Sequence, residues 1–143
     1  EKIDLIGVEK VSYYYLDSTK TAVLAPGVNN SWKWAGGGFI STTEDVAKFL
    51  WKHSSYNYLT EKSISEMTTP QKTKDGKTTN YGLGWITRYD KNNNILIGHT
   101  GGSVGGTTYA FMAPHSNTIV VMTTNLSSAS FGSLANDLFE LFE

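Results

Sequence analysis

The sequence predicts an α+β fold, an antiparallel β-sheet with helices packed on it. Three features point there. Short apolar and β-branched runs, such as Ile95-Leu96-Ile97 and Thr118-Ile119-Val120-Val121-Met122-Thr123, favour a pleated backbone. Turns rich in Gly and Asn separate these runs. Other segments have capped starts and apolar residues at i, i+3, i+4, which is helical spacing. The 143 residues suit one domain. With 17% charged and 39% hydrophobic residues, a folded chain is expected rather than a disordered one.

In order, residues 1–24 alternate loosely, with Val8, Val11, Tyr13, Tyr15 and Leu16, and predict short strands. Pro26-Gly27 and Asn29-Asn30 mark a loop that holds Trp32 and Trp34, expected to cover an edge of the core, with a binding cleft as the alternative. Ala35-Gly36-Gly37-Gly38-Phe39-Ile40 leads into a helix whose start has two registers. Ser41 with Glu44 is a capping box, and Thr42 with Asp45 is the other. Val46, Phe49 and Leu50 share its inner face. A glycine run before a helix can bind phosphate, but the Lys-Ser/Thr pair of a P-loop is missing.

A second helix fits Thr60 to Met67, with Thr60 as cap and Pro70 as stop. Asp75-Gly76 signals a hairpin turn. Strands are predicted at about 81–89, 95–100, 107–113 and 118–124. Turns fall at Asp90–Asn94, at Gly105-Gly106 and at Ala113–Asn117. Thr118–Thr123 is so continuously apolar that both its faces should be covered. Phe131, Leu134, Ala135, Leu138, Leu141 and Phe142 are expected to line one side of a terminal helix.

Composition narrows the function. A net charge of -1 argues against nucleic-acid binding. The absence of cysteine excludes disulfides and Cys-based nucleophile or metal sites. No metal or other cofactor is called for. No apolar run reaches the length of a membrane helix. Glu1-Lys2-Ile3-Asp4 shows neither an initiator Met nor a signal peptide, so the chain is expected to start inside a larger protein.

The chemistry concentrates at His99-Thr100-Gly101-Gly102, expected between two strands. His99 offers a donor or acceptor near neutral pH, and Thr100 offers both. Gly101 and Gly102 lack a Cβ, so a substrate can lie against their N–H groups. An N–H aimed at a developing oxyanion stabilises acyl transfer. The plain alternative is a histidine in a glycine-rich turn with no chemistry.

Four blocks now stand in order. Ala35-Gly36-Gly37-Gly38-Phe39-Ile40-Ser41-Thr42, with Asp45 and Phe49, resembles a helix start found in the serine β-lactamase-like family. That family includes class C β-lactamases, penicillin-binding proteins, D-Ala-D-Ala carboxypeptidases and related esterases. Tyr81-Gly82-Leu83-Gly84-Trp85 resembles its Y-G-x-G-W strand. His99-Thr100-Gly101-Gly102 resembles its third active-site motif, K-T-G or H-x-G. Asn125, closing the last strand, fits as well.

The family's nucleophile sits in S-x-x-K, and here no Lys has Ser three residues before it. The one S-x-N, Ser55-Tyr56-Asn57, falls after the glycine-rich helix start, out of the family's order. The resemblance therefore implies that residues 1–143 are the C-terminal part of a β-lactamase/transpeptidase-like domain, with the S-x-x-K and Y-x-N motifs elsewhere. The parent would be a serine hydrolase of amides or esters (a β-lactam, a D-amino-acid peptide or an ester), working through an acyl-serine. The isolated chain would be inactive.

By the same resemblance, His99 serves catalysis and the Gly102 N–H is half of an oxyanion hole. Thr100, Gly101 and Ser103 would meet a small-molecule or peptide substrate. The last strand would end as a bare sheet edge, open to the missing N-terminal part or to a second copy. The location implied is extracytoplasmic. Two other readings stand beside this one. One is a binding module that kept the fold and lost the nucleophile. The other is a hydrolase with Ser103 or Ser41 as nucleophile and His99 as base, which lacks an evident nucleophile elbow.

Overall fold

The computed structural model describes residues 11–30, 32–55 and 59–142. Val8 and the Tyr56-Asn57 part of the S-x-N match lie outside the described residues.

The main sheet has four antiparallel strands in the order β3-β4-β5-β6. These are β3 (Ile86–Tyr89), β4 (Ile95–Ser103), β5 (Gly106–Ala113) and β6 (Thr118–Thr124). A two-stranded ribbon, β1 (Tyr14–Leu16) and β2 (Ala22–Leu24), sits near the end of β6. It is tied there by the Tyr14 N–H donating to the Asn125 carbonyl at 2.8 Å. The Asn125 side-chain amide also donates to the Ser12 carbonyl at 2.8 Å. Asn125 thus acts here as a clasp between ribbon and sheet.

Alternation along each strand splits the core in two. On one face Leu96, Tyr109, Phe111, Ala113 and Val120 meet Ala135 and Phe139 of α3 (Leu134–Leu141). On the other, Ala110 and Met112 meet Trp85 and Leu50 of α1 (Thr43–Ser54). The expectation that β6 is covered on both faces holds: Val120 is buried toward α3, and Ile119 and Val121 pack toward α1. Among the described residues β6 is the edge of the sheet, with β5 as its only strand neighbour.

Of the two registers for the start of α1, the second is the one formed. The Thr42 hydroxyl accepts from the Asp45 N–H at 3.1 Å. Thr42→Ala should therefore cost about 1 kcal/mol of stability. Ser41→Ala should cost almost nothing, because its hydroxyl caps no N–H. Urea midpoints of the two variants check this, and equal losses would refute it. In α2 (Glu61–Thr68) the Thr60 hydroxyl caps the Ser63 N–H at 3.1 Å, as expected.

Four expectations need correction. The strand expected at about 81–89 begins only at Ile86. Tyr81–Trp85 is a tight turn, in which the Gly82 N–H donates to the Trp85 carbonyl at 2.7 Å and Gly84 has φ +81°. Gly82 is needed for close approach, since a Cβ there would stand 2.1 Å from the Met67 carbonyl oxygen.

The polar stretch His99–Ser103 is not a loop between strands but the second half of β4, paired with β5 throughout. The actual turn is Val104-Gly105, with Ser103 opposite Gly106. Gly105 has φ +84°, and a Cβ there would lie 2.2 Å from the Tyr13 Cβ. Its N–H donates to the Ser127 hydroxyl at 2.6 Å.

Trp32 and Trp34 are 70% and 79% exposed and cover no core edge. In α3 the buried residues are Ala135 and Phe139, with Leu138 packed beside them. Leu134 and Leu141 are exposed because they lie off that i, i+3, i+4 stripe. Phe142 is exposed because it follows the last helical turn.

Candidate active site

β3 is short, and this shapes the site. It pairs only with Ile95–Gly98 of β4. Beyond Gly98, among the described residues, no strand lies on that side of β4. His99–Ser103 is therefore held by β5 on one side and open along the other. Such an edge presents N–H and C=O groups that an extended ligand can meet.

Side chains alternate along the strand. His99, Gly101 and Ser103 belong to the α1 face. Thr100 and Gly102 belong to the α3 face, with Tyr109 and Thr107 as their cross-strand partners. The predicted site residues are thus contiguous in the chain but divided between two faces. A cleft of about 470 Å³ on the α3 side is lined by Thr100, Gly101 and Gly102 together with Arg88, Tyr109 and Phe131. His99 does not line it. Burial pushes the Tyr109 phenol pKa up, and the nearby Arg88 charge pulls the other way with a smaller effect. Tyr109 is therefore a protonated wall of that cleft and no base.

On the α1 face the imidazole has a partner that the sequence reading did not assign. The Tyr81 hydroxyl hydrogen-bonds His99 Nε2. The two rings meet edge-on, with centroids 5.5 Å apart and an 86° interplanar angle. His99 Nδ1 contacts the Thr100 carbonyl, which only accepts. In neutral His99 the proton then sits on Nδ1, and Nε2 accepts from Tyr81. Tyr81 reaches this place because Tyr81 bridges to Ile86 and the Asn80 carbonyl accepts from the Thr87 N–H at 3.0 Å. The signal available for Tyr81 was its position at the head of Tyr-Gly-x-Gly-Trp.

Gly101 and Gly102 are open: a Cβ on either would meet nothing within 4 Å. Their lack of a side chain is not demanded by the fold, in contrast to Gly98, where a Cβ would stand 2.1 Å from the Ala110 carbonyl oxygen. Ser103 closes the row, its hydroxyl accepting from the Lys33 ammonium at 3.4 Å. Ser41, considered as a nucleophile, contacts the Thr42 carbonyl at the start of α1, and no hydrogen bond joins it or Ser103 to His99. Among the described residues no helix is long and apolar enough to cross a membrane.

Comparison with known proteins agrees with this architecture. The beta-lactamase family model matches residues 4–140. The human serine beta-lactamase-like protein LACTB, mitochondrial, is 31% identical over 73% of this chain and 24% of its own length. The bovine protein of the same name is 29% identical, with 23% of its length covered. The chain thus spans about a quarter of the curated relatives it matches.

Among solved structures, the octameric penicillin-binding protein homologue from Pyrococcus abyssi superposes with a TM-score of 0.70 at 27% identity. That match covers 91% of this chain and 30% of the other. The D-amino acid amidase from Ochrobactrum anthropi SV3, complexed with D-phenylalanine, also gives 0.70, at 22% identity, over 92% of this chain and 44% of its own. That second likeness speaks for the fold alone. With the sheet, the helix start and the His-Thr-Gly-Gly strand in place, the match over residues 4–140 leads to one conclusion: this chain belongs to the beta-lactamase family.

Proposed function

We propose that this chain forms one wall of the active site of a serine hydrolase, which cleaves or transfers an amide or ester acyl group. The observation that carries the reading is the open half of β4. There His99, Gly101, Gly102 and Ser103 lie along a strand edge that β3 leaves uncovered. A substrate amide laid along it meets backbone N–H and C=O groups. Its scissile carbonyl oxygen sits at the Gly102 N–H, where negative charge develops as a tetrahedral intermediate forms. The Tyr81–His99 pair orients the group on one side of that carbonyl. Thr100 and Ser103 contact the substrate on the two faces of the strand.

The attacking serine and its base come from outside residues 1–143, because the chain holds no S-x-x-K. The serine hydroxyl loses its proton to that base and forms an acyl-enzyme, and the amine or alcohol leaves with a proton. Water then releases the acid. The substrate class is an amide or ester such as a D-amino-acid peptide or a β-lactam, in keeping with the penicillin-binding and amidase names of its structural neighbours. The N-terminal part that supplies the serine also covers the β6 edge; without it, a second copy pairs there. We read the full-length protein as acting outside the cytoplasm, a reading supported by its likeness to a penicillin-binding protein homologue, whereas the human relative's name puts that protein in mitochondria.

A fluorophosphonate probe tests the reading. The full-length protein should take up one probe per chain on a serine outside residues 1–143, and the isolated chain none. Mass of the intact and digested proteins reads this out. Labelling of a serine within residues 1–143 would overturn the assignment. An unlabelled full-length protein would mean that the fold serves as a binding module instead.

A further inference from the structure

We propose that Lys33 is a specificity residue of this site, selecting substrates whose acyl portion carries a carboxylate. The inference rests on the acyl-transfer reading above and adds a group at the far end of the strand. His99, Gly101 and Ser103 share one face of β4, and Gly101 contributes no side chain to it. The result is a bare floor bounded by Tyr81–His99 at one end and Lys33–Ser103 at the other. The Gly102 N–H lies between them in the strand. A carbonyl bound at Gly102 therefore directs one arm toward His99 and the other toward Ser103.

Lys33 is half-buried as a residue, and its ammonium lies 3.4 Å from the Ser103 hydroxyl and 5.8 Å from the centre of the Trp32 ring. Among the described residues Lys33 has no carboxylate partner, as is true of Lys20, Lys52, Lys72 and Lys74, but Lys33 is the lysine hydrogen-bonded to a side chain of the candidate site, Ser103. An ammonium has three donors, and a neutral hydroxyl with an aromatic face does not use them all. A carboxylate beside Ser103 would.

The loop that carries Lys33 is fixed with some strain. Trp34 has φ 45°, unusual for a bulky residue. Its carbonyl is held by the N–H groups of Gly37 and Gly38 at 3.3 and 2.6 Å. A Cβ on Gly38 would come within 2.7 Å of that oxygen. The Lys33 N–H donates to the Asn30 carbonyl at 3.0 Å, and the Lys33 carbonyl accepts from Gly36 at 2.9 Å. The glycine run thus clamps the loop. Trp32 and Trp34, left outside the core on either side of Lys33 in sequence, offer apolar area for the methylenes that carry such a carboxylate.

Paired substrates test this on the full-length protein. The mono-p-nitrophenyl ester of glutaric acid and the p-nitrophenyl ester of pentanoic acid match in length and differ in charge. The ratio of their kcat/KM values should fall about five- to tenfold in Lys33→Met and stay near wild type in Lys33→Arg. Because both esters are measured on the same variant, any loss of folded protein cancels in the ratio. A ratio that is unchanged in Lys33→Met, or that falls equally in Lys33→Arg, overturns the inference and leaves the acyl-transfer reading standing. If the wild-type protein turns over neither ester, the acyl-transfer reading falls and this inference falls with it.

Discussion

Phe111→Ala should lower the stability of this chain by about 3–5 kcal/mol. Phe111 is fully buried in β5, whose two neighbours β4 and β6 also belong to the core. Its ring lies 4.6 Å from that of Tyr109, and the Arg88 guanidinium sits 5.0 Å from its centre. Its partner in β4 is Gly98, where a Cβ would come within 2.6 Å of the Phe111 Cα and Cγ. The ring thus fills the space that the missing side chain leaves, and truncation opens a cavity the rigid sheet cannot collapse. A domain is stable by only about 5–15 kcal/mol, so this loss takes a large share. Urea unfolding should show a much lower midpoint, with Phe111→Leu intermediate. A loss below about 1 kcal/mol would mean that the ring is not central to the core.

His99→Ala should behave in the opposite way. In the full-length protein it should reduce kcat/KM by about 2–4 kcal/mol, roughly 30- to 1,000-fold. Stability should move by no more than about 0.5 kcal/mol, because the imidazole is exposed and reaches only Tyr81 and the neighbouring carbonyl. Tyr81→Phe removes one oxygen and leaves the ring contact, so it should reproduce part of the kinetic loss. Kinetics and a thermal melt on the same samples separate the two effects. Full turnover without the imidazole, or a collapsed melt with it, would make His99 a structural residue.

The local features of this fold were readable where a single principle governed them. The strands at 95, 107 and 118 follow from β-branched runs, and both helix caps from Thr at the right spacing. Tyr81–Trp85 misled because an aromatic, a leucine and a tryptophan spaced by glycines look like alternation, whereas Gly84 at positive φ turns the chain. Phe139 was missed because Leu134 and Leu141 are just as apolar, and only the start of α3 tells which stripe faces the sheet. The residues of the candidate site were legible as a motif, but their arrangement was not. The pairing of Tyr81 with His99 joins two elements through the short β3 ladder, a distance in the fold that no local pattern encodes.

The Val104-Gly105 turn has a consequence for inheritance of the site as much as for its shape. Adjacent residues of β4 face opposite ways, so a one-residue slip of the strand carries every side chain across the sheet. Such a slip of β4 against β5 would move the imidazole to the α3 side and put the Thr100 hydroxyl beside Tyr81. No atom of the motif would have changed, yet the wall would be chemically inverted. The Gly105 turn, wedged against Tyr13 and tied to Ser127, sets the parity of the strand. Changes that keep this register leave each side chain on its face, and a change in the turn that shifts it by one residue does not.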